Sequence, residues 1–193
     1  MPDLSTNCAG IRSPNPFWLA SAPPANSGAQ VQRAFDAGWG GAVWKTLGVP
    51  IQNVSSRFGA LNYSGTRAIG FNNIELITDR PLEVNFREIY ETKKKFPKHA
   101  VVVSLMVETQ EEWKDIIKRS IDAGADGLEL NFGCPHGMCE RGMGSAVGQE
   151  PMVNERITAW AVEYSTVPVL VKLTPNVSDI LPHGLAAQKG GAH

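Results

Sequence analysis

Cysteine is scarce in this chain. Cys8, Cys134 and Cys139 are the whole set in 193 residues. An odd and sparse complement excludes a disulfide-stapled scaffold and points to a reducing compartment, the cytoplasm. Charge of one sign is lacking too. Eighteen Lys and Arg face nineteen Asp and Glu, for a formal net charge of −1 at pH 7. The electrostatic footprint of a nucleic-acid or anionic-membrane binder is therefore missing. No apolar run is long enough to cross a bilayer. The opening MPDLSTNCAG has neither the basic nor the apolar region of a signal peptide. No G-x-G-x-x-G follows the first apolar run, so the main signature of a dinucleotide-binding sheet is absent. What is present is a globular composition, 42% hydrophobic and 19% charged, long enough for one domain with a real core.

Five runs read as strands: residues 17–22 (FWLASA), 41–47 (GAVWKTL), 100–107 (AVVVSLMV), 127–132 (GLELNF) and 167–174 (VPVLVKLT). Each is mostly apolar with little alternation, as in parallel strands buried on both faces. Helical patterns lie between them. Residues 110–123 set Trp113, Ile116, Ile117 and Ile121 on one face. Residues 151–164 do the same with Val153, Ile157, Trp160, Ala161 and Tyr164, behind a first-turn Pro151. Residues 29–37, 85–96 and 176–189 complete the set, the last requiring Pro182 near its start.

A local repeat supports this reading. DAGWGGAVWKT (36–46) and DAGADGLELNF (122–132) both close a helix at Ala-Gly, open a strand at a second glycine and end on a polar residue. QKGGAH (188–193) begins a third copy. The glycine after the helix is the left-handed cap of an αβ turn. The order β-α-β-α, without tandem strands, predicts an α/β fold. Ser21, Lys45, Asn131 and Lys172 all fall at strand carboxyl ends. A TIM (β/α)8 barrel gathers such residues on one face, whereas a doubly wound sheet spreads them along an edge. A full barrel takes about 250 residues. The expectation is an incomplete barrel of about five βα units, with residues 1–193 as the N-terminal portion of a single barrel. Residues 48–81, rich in Asn, Ser and Gly, are too long for an ordinary connection and read as a functional insertion over the active face.

The chemistry centres on ELNFGCPHGMCERGMGSAVGQEP (129–151). A free cysteine is most often a small buried apolar residue. Cys134 instead follows a strand end and opens a glycine-rich loop able to close over a ligand. Thiols titrate at about 8.5 in model peptides, which suits a proton donor to a carbon that gains negative charge. Cys134, His136 and Cys139 form C-x-H-x-x-C, three donors without the spacing of a zinc site, so no metal is expected. A thiol-protease Cys-His pair finds no other support in the sequence. Lys45 and Lys172 are cations in apolar strands, where charge is expensive unless paired. They read either as snorkelling side chains or as partners of a bound anion such as a reduced flavin. Asn73 and Asn131 offer donor and acceptor together, as a ring of alternating C=O and N–H groups requires, although GFNNIE by itself reads Asn73 as a turn residue.

These segments carry a resemblance. NPFWLASAPPANS (15–27), AGWGGAVWKT (37–46), GFNNIELI (70–77), the cysteine loop and VKLTPNVSDI (171–180) occur in order. Together they resemble the FMN-binding barrel of the dihydropyrimidine dehydrogenases, including the barrel subunit of the bacterial NAD-dependent enzymes, with the dihydroorotate dehydrogenases as relatives. The resemblance implies hydride transfer from reduced FMN to C6 of uracil or thymine, with a cysteine protonating C5. By residue, Cys134 matches the acid–base cysteine. Asn73 and Asn131, with Phe132 and Gly133, match the substrate-binding positions, although the family usually has Ser where Gly133 stands. Ser21, Lys45, Thr46 and Lys172 match flavin contacts. The family also implies 4Fe-4S clusters in a C-terminal segment, an NADH-oxidising partner subunit and an oligomer. NFGCP additionally fits the N-x-G-C-P pattern of tRNA dihydrouridine synthases, but those need a basic surface. Dihydroorotate oxidation and an inactive barrel fragment are the remaining alternatives.

Overall fold

Five short parallel strands form the centre of the molecule, in the order β3-β4-β7-β8-β9. They are β3 (Trp18–Leu19), β4 (Gly41–Leu47), β7 (Ala100–Leu105), β8 (Gly127–Asn131) and β9 (Val169–Lys172). The structure is a computed structural model that describes residues 2–49, 58–71, 76–134 and 141–193. Helices α1 (Gly28–Asp36), α2 (Leu82–Lys95), α3 (Gln110–Asp122), α5 (Pro151–Tyr164) and α6 (Leu181–Lys189) lie between or after the strands. This is the βα order of a barrel, with an open sheet among the described residues.

Alternation gives the sheet two unlike faces. Trp44, Val101, Val103, Leu105, Leu128 and Leu130 join Val31, Phe35, Ile89, Ile117 and Ile157 of the helices in the main apolar core. The other face begins with Val43, Ala100, Val102 and Leu170, gathered around Ile11 and Trp18. Further along each strand that face turns polar, at Lys45, Ser104, Glu129, Asn131 and Lys172. The base of this face is apolar, and its polar side chains gather toward the carboxyl ends, where barrels of this order build their sites.

The helix ends follow local rules. Ser27 caps α1 by accepting from Gln30 N. Thr109 and Glu112 form a reciprocal capping box at α3. The repeat in the sequence is a repeat in conformation: Gly38, Gly124 and Gly191 have φ of 100°, 95° and 90°. After the third of these, His193 N donates to Val169 O at 3.0 Å, as Asp126 N does to Val101 O at 2.8 Å.

Several boundaries differ from expectation. The first strand, expected over 17–22, is only Trp18–Leu19, because Pro23–Ala25 turn into a 3-10 helix. The strands expected to reach Val107, Phe132 and Thr174 end at Leu105, Asn131 and Lys172. Helix α6 starts at Leu181 rather than 176, with Pro182 in its first turn and Leu181 N held by Asp179 Oδ1 at 2.9 Å. Helix α2 starts three residues earlier than its charge pattern suggested. A short α4 (Ser145–Gly148) follows the cysteine loop.

The expectation of no tandem strands is corrected by two antiparallel hairpins. The first pairs β1 (Thr6–Cys8) with β2 (Ile11–Ser13) and inserts Ile11, 2% exposed, into the base of the strand layer. The second pairs β5 (Phe58–Tyr63) with β6 (Thr66–Phe71) inside the insertion. Ser64 and Gly65 turn it with φ of 49° and 79°, the conformation of a two-residue hairpin loop. Its residues 60–70 are exposed, so no buried face imposed a readable period on the sequence.

Candidate active site

Strand β4 supplies two site residues through a bulge. Trp44 pairs with Val103 and Leu47 with Leu105, so Lys45 and Thr46 together face the single residue Ser104. Strict alternation would have sent one of them into the helix layer. Instead both are buried, at 5% and 3% exposure, and Thr46 Oγ1 lies 2.9 Å from Ser104 Oγ. Lys45 Nζ donates to Leu76 O at 2.9 Å, and Thr78 N donates to Thr46 O at 2.9 Å. The end of the insertion thus returns across the carboxyl end of β4.

Strand β8 supplies the next pair. Asn131 Nδ2 donates to Thr46 Oγ1 at 2.9 Å, and Asn131 Oδ1 accepts from Gly133 N at 3.2 Å. The amide is fixed at both ends, yet each atom keeps a second hydrogen or lone pair. Glu129, two residues earlier, accepts from Lys172 Nζ at 3.0 Å and from Ser21 Oγ at 2.9 Å. Lys172 Nζ also donates to Ser21 Oγ at 2.7 Å. Residues from the ends of β3, β8 and β9 therefore close into one triangle.

Cys134 is half-buried and outside any disulfide. It packs on the cluster of Ile77, Met106 and Met143. Ile77 directly follows Leu76, the partner of Lys45, so the cysteine stands at the same end of the sheet. Its carbonyl accepts from Ser145 N at 3.0 Å. Gly144 is needed there, because a side chain would place Cβ 2.5 Å from that carbonyl oxygen.

The structure therefore brings Ser21, Lys45, Thr46, Asn131, Gly133, Cys134 and Lys172 to one end of the sheet. The Phe132 side chain is 1% exposed and lies in the main core, because alternation from Asn131 turns it toward the helices, which leaves its backbone at the strand end. Asn73, His136 and Cys139 lie outside the described residues. Sequence reasoning missed Ser104 and Glu129. Both were legible as polar residues spaced on the site side of otherwise apolar strands. Among the described residues no group of three or more His, Cys, Asp or Glu is placed to hold a metal. None of their helices is long and apolar enough to cross a membrane.

The sequence matches the family described as Dihydroorotate dehydrogenase over residues 3–193. That match spans nearly the whole chain, and the chain belongs to the dihydroorotate dehydrogenase family. It is 40% identical to the chloroplastic dihydropyrimidine dehydrogenase (NADP(+)) of Arabidopsis thaliana, covering 98% of this chain and 47% of that protein. It is 41% identical to the NAD-dependent dihydropyrimidine dehydrogenase subunit PreA of Escherichia coli strain K12, covering 98% and 46%. The catalytic subunit of dihydroorotate dehydrogenase B (NAD(+)) of Thermoplasma acidophilum is 33% identical, covering 100% and 61%. The chain spans about half the length of the dihydropyrimidine dehydrogenases it matches.

Proposed function

We propose that the whole protein is a flavin-dependent oxidoreductase that reduces the C5=C6 bond of uracil or thymine and runs the reverse reaction, with FMN as its cofactor and Cys134 as its proton donor. The observation that carries this reading is the convergence of Lys45, Thr46, Asn131 and Lys172 at one end of the sheet, with Cys134 three residues beyond Asn131. The donor set fits FMN. Two ammonium groups and the Ser21 and Thr46 hydroxyls suit a ring edge of alternating C=O and N positions that turns anionic on reduction. FMN bound there supplies the hydride for C6.

The chain's own residues do the rest. Lys45 sets positive charge where negative charge develops, and Lys172 offers an N–H donor to the same ring. Asn131, held by Thr46 and Gly133, offers a fixed amide to the pyrimidine, and Asn73 is its proposed companion. The Cys134 thiol gives its proton to C5 as that carbon gains negative charge, and recovers it in the reverse direction. A reducing compartment such as the cytoplasm keeps the thiol available. Two relatives are described as subunits, which supports an NADH-oxidising partner here, with iron–sulfur clusters as the route to the flavin.

The test uses the full-length protein loaded with FMN and reduced under anaerobic conditions. Mixing with uracil is expected to reoxidise the flavin and yield dihydrouracil. Cys134→Ala should keep its flavin but react at least about 100-fold more slowly. Near-normal turnover by that variant ends the proton-donor role. Turnover of dihydroorotate with none of uracil transfers the protein to the other branch of the family.

A further inference from the structure

One charge on the strand-end face has no part in the chemistry proposed above: the Glu129 carboxylate. Its side chain is 14% exposed, against 38% for Lys172. In register it stands beside Leu170 of β9, which fills the same layer with an apolar side chain. A carboxylate at such depth costs free energy unless it is paired. The pairing is with two groups at once, Lys172 Nζ at 3.0 Å and Ser21 Oγ at 2.9 Å, which also bond to each other.

We infer that Glu129 is a positioning residue that acts on the cofactor through Lys172. It fixes the ammonium against Ser21 and cancels its formal charge, so the ring edge meets a held donor instead of a net cation. The inference rests on the reading of FMN as the cofactor. An uncompensated cation beside the ring favours the reduced, anionic form. Glu129 opposes that bias and keeps the reduced flavin a stronger donor.

Glu129→Gln keeps the shape and removes the charge. In the full chain loaded with FMN, titration against a redox dye is expected to raise the reduced-to-oxidised ratio at fixed potential about tenfold. For a two-electron couple that is about 30 mV upward. The same substitution in a Lys172→Met background is expected to shift it clearly less, because only the direct field of the carboxylate on the ring is then removed. An equal shift in both backgrounds, or none in either, overturns the inference. If the Gln variant does not retain FMN, thermal unfolding of the flavin-free single and double variants decides. The double variant should lose less than the sum of the singles, and additive losses refute the pairing. A wild-type chain that takes up no FMN while showing that coupling refutes the cofactor reading, not the pair.

Discussion

Asn131 donates to the Thr46 hydroxyl at 2.9 Å across 85 residues of chain, and that hydroxyl also bonds Ser104 at 2.9 Å. Three strands are tied together at the point where the site is built. All three side chains are buried, so their polar atoms depend on protein partners rather than on water. Thr46→Val keeps the shape and leaves Asn131 and Ser104 each short of a partner. The expected cost is about 1–3 kcal/mol, read as a lower urea midpoint with an unchanged slope. Ser104→Ala removes only one partner and should cost less. Equal stability of Thr46→Val and the wild type would show that the network holds nothing.

Gly127 opens β8 against the plug of the sheet. A Cβ there would sit 2.4 Å from Ile11 Cδ1, so Gly127→Ala must displace the side chain that fills the base. A loss of about 1–3 kcal/mol is expected. Ile11→Ala should cost about 2–5 kcal/mol by leaving a cavity. Combined, the two should cost clearly less than their sum, because the new methyl enters the space the isoleucine vacates. Denaturant titrations of the four proteins give the answer directly.

Acid should destabilise the fold in two stages. Burial first, then the charge of Lys93, holds the His99 imidazole below its ordinary 6.5, and its Nδ1 is buried without a hydrogen-bond partner. The Arg80 guanidinium holds the Glu88 carboxyl below its ordinary 4.5, with the Gly28 N–H adding to it against burial. Both folded values are depressed. Each contribution is complete above the ordinary value and is lost as pH falls through the lowered one. His99→Gln should flatten the thermal midpoint's pH dependence below 6.5. Glu88→Gln should flatten it below 4.5. Melts from pH 8 to 3 check both, and unchanged slopes in the variants would assign the acid response elsewhere.

The strand-end lysines show where sequence reasoning was sound and where it stopped. Mostly apolar runs with polar residues late in each placed Lys45, Asn131 and Lys172 toward carboxyl ends, and the βα order put those ends on one side. It did not reveal the bulge that lets Lys45 and Thr46 face the site together, because a bulge depends on which strand lies opposite. Nor did it assign a role to Glu129, since nothing local to GLELNF says that Lys172 and Ser21 will stand beside it.

The chain's own pattern therefore determined the α/β class, the parallel sheet, most helix positions and the end of the sheet where the polar side chains gather. These depend on periods and caps spanning a few residues. The tertiary structure alone decided that Ile11 plugs the base, that Thr46, Ser104 and Asn131 share a hydrogen bond network, and that Lys172 pairs with Glu129. Those relationships join residues as many as 151 apart, and only the packing of the strands brings them within bonding distance.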